Sequence, residues 1–286
     1  MRTRIINQES ARLDIRIADQ TPLSRKRVKR LINRGAVRVD GNVVTHPGKI
    51  VEAGAVIEVR SAPNTRLVEP SKTGEPNTAQ AVVVERYRDP WVLVVDKPTG
   101  MPSQPTRQGH QLHLQGLVAS QEEYSAMHHR LDTPASGLVL FGLKKEANRS
   151  LAEGFRTGTI KRQYRVALVG DPGASGTWDW PIDEKSARSH WKRILHVDGF
   201  TVVDVSLETG RTHQIRKHAA RAGHPVMGDR RHGGAAGRAW PRLALHAYQI
   251  TFAHPNTQQP VTVTAPIPPD LQELMLSAPD DQQGDR

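Results

Sequence analysis

Apolar residues recur along this chain in two rhythms. Between Ser24, suited to cap a helix start, and Gly35, suited to stop one, Val28, Leu31 and Ile32 stand at helical spacing and predict a short helix. Arg25, Lys26, Arg27, Lys29, Arg30 and Arg34 crowd the rest of its surface. AVRVDGNVV then alternates about Asp40 and Gly41, a dipeptide that suits a tight hairpin because both central residues must reach positive φ. Ile50 to Val59 supplies a further strand. Residues 61–80 carry three prolines and several Ser, Thr and Asn with almost no apolar rhythm, which reads as a linker. The expected organisation is a small domain over 12–60, the linker over 61–80 and a larger domain over 81–272. Residues 273–286 read as a mobile tail, since from Ser277 onward the chain is polar and acidic without an apolar anchor.

The larger domain opens with AVVVERY and WVLVVDK, the apolar runs of buried strands, and Leu138 to Phe141 is a third such run. Lys144 to Thr157 sets Ala147, Leu151 and Phe155 on one helical face. Arg162 to Val169 reads as a strand, and two more, Trp191 to Val197 and Phe200 to Leu207, meet at Asp198-Gly199, a second hairpin signal. Thr212 to Ala222 reads as a helix stopped by Gly223, and strands over Leu243 to Phe252 and Val261 to Thr264 close the domain. Strands and helices do not alternate strictly. The expected fold class is therefore α+β: a small helix-hairpin domain, then a mixed, largely antiparallel sheet flanked by helices.

Composition narrows the chemistry. With 37% hydrophobic and 24% charged residues over 286 positions, this is an ordinary folded chain. No stretch approaches the roughly 18 consecutive apolar residues of a membrane-spanning helix, and the start lacks a secretory core, so a soluble, cytoplasmic protein without a membrane partner is expected. The absence of cysteine excludes disulfides, thiolate metal sites and thiol nucleophiles together. Lys and Arg number 40 against 29 Asp and Glu, a net charge of +11. The first 60 residues hold thirteen basic against six acidic residues, so +7 of that charge is gathered there and a polyanion is the natural partner.

Phosphate-loop, dinucleotide-binding, zinc-protease and esterase signatures are all missing. Thirteen histidines include the pair His128-His129, but adjacent side chains diverge and no third ligand stands at metal spacing, so no metal is expected. What stands out is a polar segment, His129-Arg130-Leu131-Asp132-Thr133-Pro134-Ala135-Ser136-Gly137, directly before an apolar strand. Read alone, Asp132 is a turn former before a proline, Arg216 an exposed residue of a basic helix and Tyr164 a core aromatic on a strand.

Two resemblances change those readings. Residues 11–60, with Ser24-Arg25, Leu31-Ile32, Gly35 and Val37 to Gly41, resemble the S-four-type RNA-binding domain, named after a ribosomal small-subunit protein. That implies a basic helix tracking an RNA backbone, with Arg25, Lys26, Arg27, Lys29, Arg30 and Arg34 on phosphates and little sequence choice. HRLDTPASGLVLFGLKK resembles the central motif of the RluA-type RNA pseudouridine synthases, with Ala135 where the family has threonine, a change that removes a supporting hydrogen bond and leaves the acid. DKPTGMPSQP, KRQYRVALVG and LETGRTHQIRKHAARAGHPVMGD are similar to three further family motifs, in the family's order.

The resemblance implies that Asp132 is the catalytic carboxylate, as nucleophile or as base toward the ribose, with Arg216 as its cationic partner. It implies that Tyr164 lies against the target base and assists proton removal at carbon 5, and that Arg130 fills the space left when the uridine leaves the stack, an extrusion that costs a few kcal/mol. His129, Arg211, His213 and Gln214, with Gly210 and Thr212, become scaffolding of the site, and Arg211 a phosphate contact. The isomerisation involves no net redox change, so no cofactor is expected. The expected protein is a monomeric enzyme acting on structured RNA, ribosomal RNA ahead of transfer RNA. The rival is an RNA-binding or ribosome-assembly factor on the same fold without activity, against which the set Asp132, Tyr164 and Arg216 argues. A metal-dependent nuclease or deaminase is disfavoured by the missing cysteines.

Overall fold

The computed structural model describes residues 2–7, 9–21, 23, 25–33, 36–60, 66–67, 83–105, 112–197 and 199–275. Ser24, Arg34, Gly35, Asp198, most of the expected linker and the chain from 276 onward lie outside them, as does the side chain of Arg30. Two compact units divide the chain: Met1–Asp96 with Pro102–His128 and Val139–Leu151, and Lys97–Met101 with His129–Leu138 and Ala152–Arg286. The division does not fall at residues 61–80.

The first unit begins with strand β1 (Arg2–Ile6), before the expected domain start at residue 12. Strand β2 (Ala11–Arg12) leads into helix α1 (Leu13–Gln20), and helix α2 (Arg25–Asn33) follows. Strands β3 (Val37–Val39) and β4 (Asn42–Val44) form the expected hairpin, with Asp40 and Gly41 both at positive φ. The single strand expected over Ile50–Val59 is broken into β5 (Ile50–Val51) and β6 (Val56–Arg60), because the chain reverses through Gly54 at φ +87°. β1, β6, β3 and β4 make one antiparallel sheet and β2 pairs with β5. Leu13, Ile17, Val28, Ile32, Val37 and Ile57, all fully buried, form the core between helices and sheet.

Within the expected linker, β7 (Arg66–Leu67) pairs with the start of β8 (Val83–Arg88), which pairs in turn with β9 (Val92–Lys97). Helix α3 (Leu114–Ala119) and strand β10 (Ala126–Met127) follow; β10 pairs with the far end of β11 (Ser136–Gly142), and helix α4 (Lys145–Thr157) comes next.

The second unit is built on a strongly antiparallel sheet. Strands β12 (Lys161–Val169), β13 (Ser175–Trp178), β14 (Ser189–Val197) and β15 (Phe200–Leu207) precede helix α5 (Gln214–Arg221), and β16 (Leu245–Ala253) and β17 (Pro260–Thr264) complete it, in the order β13-β14-β15-β12-β16-β17. Ser136 and Gly137 pair with β16 in parallel. Helix α6 (Pro269–Met275) packs Leu271, Leu274 and Met275 against Ala167, Val202 and Ala244. The mobile tail expected from residue 273 is thus corrected: residues 273–275 finish a helix with one buried face, whose apolar stripe of Leu271, Leu274 and Met275 was too short to read. Among the described residues no helix is long and apolar enough to cross a membrane.

Candidate active site

The polar loop before β11 is held by backbone contacts. Lys97, fully buried, donates from Nζ to the carbonyl oxygens of Pro98 (3.0 Å), Met101 (2.9 Å), Thr133 (3.3 Å) and Ala135 (2.6 Å). Thr99 Oγ1 donates to the Pro134 carbonyl and the Gly100 N–H to that of Thr133. The anchoring therefore runs through the main chain of residues 133–135, and Ala135 needs no side-chain donor to take part. Gly137 sits at φ +118°, and a Cβ there would lie 2.3 Å from the Ala247 carbonyl oxygen, so only glycine lets the loop end in a close parallel pairing with β16.

Asp132 hangs from this loop with its side chain 16% exposed. Arg216 of α5 donates from Nη1 to Asp132 Oδ2 at 2.9 Å, and His213 Nε2 stands 3.7 Å from Oδ1. Arg216 is itself 4% exposed, which removes the reading of it as a surface residue of a basic helix. Its other edge makes a two-point contact with Asp229, Nε to Oδ2 at 2.8 Å and Nη2 to Oδ1 at 2.7 Å. Burial pulls Asp229 toward its protonated form, but Arg216 and the N–H groups of His232 and Arg231 outweigh it and hold the carboxyl below its ordinary range. Burial likewise weakens Arg216, and the two carboxylates overcome this and raise it. Asp229 comes from the loop after α5, where a Cβ on Gly228 would lie 1.7 Å from the Arg242 carbonyl oxygen.

Helix α5 starts two residues later than the expected Thr212, because His213 takes a left-handed conformation (φ 57°, ψ 30°). Gln214, 3% exposed, braces the turn: its Oε1 accepts from Thr209 Oγ1 and the Arg211 N–H, and its Nε2 donates to the Arg188 carbonyl and Ser189 Oγ. Arg211 is exposed, with Nε on the Ser186 carbonyl.

Tyr164 lies on β12 beside an irregularity in its pairing with β16, a kink of the kind that re-aims a side chain. It is 5% exposed; burial raises its phenol above the ordinary value, the Asp132 carboxylate adds to the rise, and a hydrogen bond from Arg162 opposes it. Arg162 packs over the Phe155 ring at 5.5 Å, with His129 stacked on the same ring at 4.8 Å. Arg130 is exposed on the loop next to Asp132.

In the first unit, Arg25, Lys26 and Lys29 lie exposed on α2, while Lys29 also stands 3.7 Å from the buried Asp14. Arg27 does not share that surface. It is 1% exposed and donates from Nη1 and Nη2 to the two carboxylate oxygens of Glu85, both at 2.5 Å, and Arg88 bridges Glu85 to Glu122. Reading it as a phosphate contact is corrected: Arg27 adjoins Val28 and precedes Leu31 by one helical turn, on the buried side of α2. Three residues of the second unit's site had no assigned role in the sequence, Lys97, Arg162 and Asp229, although each lies inside a quoted motif. For Arg27 the spacing to Val28 and Leu31 marks the buried side, but nothing local marks its partner, which is 58 residues away.

A family model for RNA pseudouridylate synthase matches residues 91–221, and one for the S4 domain matches residues 11–57. An uncharacterized RNA pseudouridine synthase of Bacillus subtilis is 32% identical over 94% of this chain and 94% of its own length. The ribosomal large subunit pseudouridine synthase D of Vibrio vulnificus is 31% identical over 94% and 91%, and that of Vibrio cholerae 29% over 98% and 95%. Among solved structures, human RNA pseudouridylate synthase domain containing 1 aligns with a TM-score of 0.55 at 25% identity, over 64% of this chain and 83% of that one. Similarity of this extent means that the chain belongs to the RluA-type family of RNA pseudouridine synthases, which are isomerases, and carries an S4 domain near its start.

Proposed function

We propose that the protein converts uridine to pseudouridine in structured ribosomal RNA, with Asp132 as the carboxylate that acts on the target nucleotide. The observation that carries this reading is the Asp132–Arg216 contact at the mouth of a buried pair of ions. Arg216 is fixed by Asp229 and occupies one oxygen of Asp132. A carboxylate has about four acceptor positions, so the contact with Arg216 leaves acceptor positions of Asp132 unused. In the reaction the bond from N1 to the ribose breaks and one from carbon 5 forms; the carbon 5 proton leaves and N1 gains one. No electron enters or leaves the balance.

Tyr164, whose phenol feels the Asp132 carboxylate, has the ring to stack on the uracil and a hydroxyl to assist proton removal at its carbon 5. Arg130, exposed two residues before Asp132, has the reach to occupy the space of an extruded base, and Arg211 to meet a phosphate. Arg25, Lys26 and Lys29 supply phosphate contacts without base choice. Ribosomal RNA is favoured because the relatives from both Vibrio species carry ribosomal large-subunit names, and the protein is taken to act as a cytoplasmic monomer. Mapping pseudouridines across total RNA from cells with and without the gene tests this: one or more ribosomal positions should revert to uridine, and an unchanged map would overturn the proposal.

A further inference from the structure

Only the backbone N–H of His232 has entered the site so far, yet its ring is wired to the site as well. Its Nε2 lies 2.9 Å from His213 Nδ1, with the rings edge to face at 5.1 Å. His213 in turn points Nε2 at Asp132 Oδ1 across 3.7 Å. The backbone N–H of His232 donates to Asp229 Oδ1, the same carboxylate that grips Arg216. Asp229 thus reaches Asp132 by two arms: Arg216 to Oδ2, and His232 through His213 to Oδ1.

Hydrogen counting decides what the second arm does. Two imidazole nitrogens at 2.9 Å need one proton between them. With that proton on His213 Nδ1, a neutral His213 would turn the bare Nε2 lone pair toward a carboxylate, which is repulsive. With it on His232 Nε2, His213 Nδ1 accepts and Nε2–H faces Asp132. Both rings are held below the ordinary histidine value, by burial first and by Arg216 and Arg231 besides, against the pull of Asp132 on His213 and of Asp229 on His232; Lys217 adds to the effect on His232. Neutral rings are what this counting assumes. His213 also keeps a left-handed backbone, a conformation that a non-glycine residue holds only where its surroundings fix it.

We infer that His232 is a positioning residue: it donates to His213 Nδ1, fixes His213 in its Nε2–H tautomer, and so makes His213 the second donor to Asp132. The assignment rests on the reading of Asp132 as the catalytic carboxylate. The 3.7 Å gap is of the length that shortens when a substrate closes on such a site.

The test uses the full chain, labelled with nitrogen-15 in histidine, and RNA from cells lacking the gene, carrying tritium at carbon 5 of uridine. In the wild type, His213 should show a protonated Nε2 and a bare Nδ1. His232→Phe keeps ring volume without a donor; the tautomer should be lost, and kcat should fall about tenfold to a hundredfold with KM unchanged. His232→Gln places an amide N–H near the same nitrogen and should restore the tautomer and bring kcat to within about threefold of wild type. A wild-type His213 protonated at Nδ1 overturns the inference, as does equal kcat in the Phe and Gln variants. The tautomer is read without turnover, so a failed reading of Asp132 would show separately, as activity retained in Asp132→Asn.

Discussion

Asp229→Ala removes the group on which the site hangs, and its effect follows from the contacts it deletes. The carboxylate is fully buried and accepts four hydrogen bonds, two from Arg216 and one each from the N–H groups of Arg231 and His232. Removing one member of a buried ion pair costs about 3–5 kcal/mol, because the partner's charge stays buried. Arg216 keeps Asp132, which recovers part of this, while a stranded N–H adds about 1–3 kcal/mol. A loss of about 4 kcal/mol is expected, close to a thousandfold in the folding equilibrium. Arg216, free to turn, should close on Asp132, and misplacement of that order lowers turnover about a hundredfold. Urea titration gives the first number and tritium release from carbon 5 the second. Asp229→Asn, which keeps the shape and one acceptor, should fall between the two proteins in both. A stability within about 0.5 kcal/mol of wild type for Asp229→Ala, or normal turnover, would refute the claim that Asp229 fixes Arg216.

Tyr164→Phe should keep RNA affinity, since the ring remains, and lose turnover; equal loss of both would mark a packing residue. Arg25→Ala with Lys26→Ala should flatten the slope of log affinity against log salt by about 1.4–1.8, at roughly 0.7–0.9 per phosphate contact, whereas Arg27→Ala should leave the slope alone and destabilise the protein by about 3–5 kcal/mol. An Arg27 variant as stable as wild type would contradict the buried pair with Glu85. His128, His213, His218 and His232 are all held below the usual histidine value, chiefly by burial, so the unfolded chain binds protons that the folded one refuses. Stability should be complete above about pH 6.5 and decline as pH falls below it, with a slope of up to about 1.4 kcal/mol per pH unit for the 1% exposed His218. Urea midpoints that do not move between neutral pH and pH 5 would disprove this.

Elements with strong local signals were legible in the sequence. The Asp40-Gly41 hairpin, the strands β8, β9, β12, β15 and β16, and helix α4 all follow from apolar rhythm and turn chemistry. Local signals failed where a distant partner decides. Arg27 reads like its basic neighbours until Glu85 arrives from β8; helix α6 owes its order to Ala167 and Val202 of the sheet beneath; and α5 begins late because His213 is tied to His232. In the site, the pairing of Asp132 with Arg216 was expected only through the family resemblance, and its supports were not expected at all. Read alone, Asp132 is a turn former and Arg216 a surface arginine, and Asp229 and Lys97 act by holding other groups, which only their neighbours reveal.

The central claim is that the Asp132 carboxylate performs the isomerisation. Asp132→Asn preserves side-chain shape and replaces one oxygen with an amide, so folding and RNA affinity should survive. The direct measurement is tritium release from carbon 5 of labelled RNA under single-turnover conditions, with binding of the same RNA measured alongside. The account predicts binding close to wild type and no detectable release; release at even about a tenth of the wild-type rate, a loss of only about 1.4 kcal/mol of transition-state stabilisation, would contradict it.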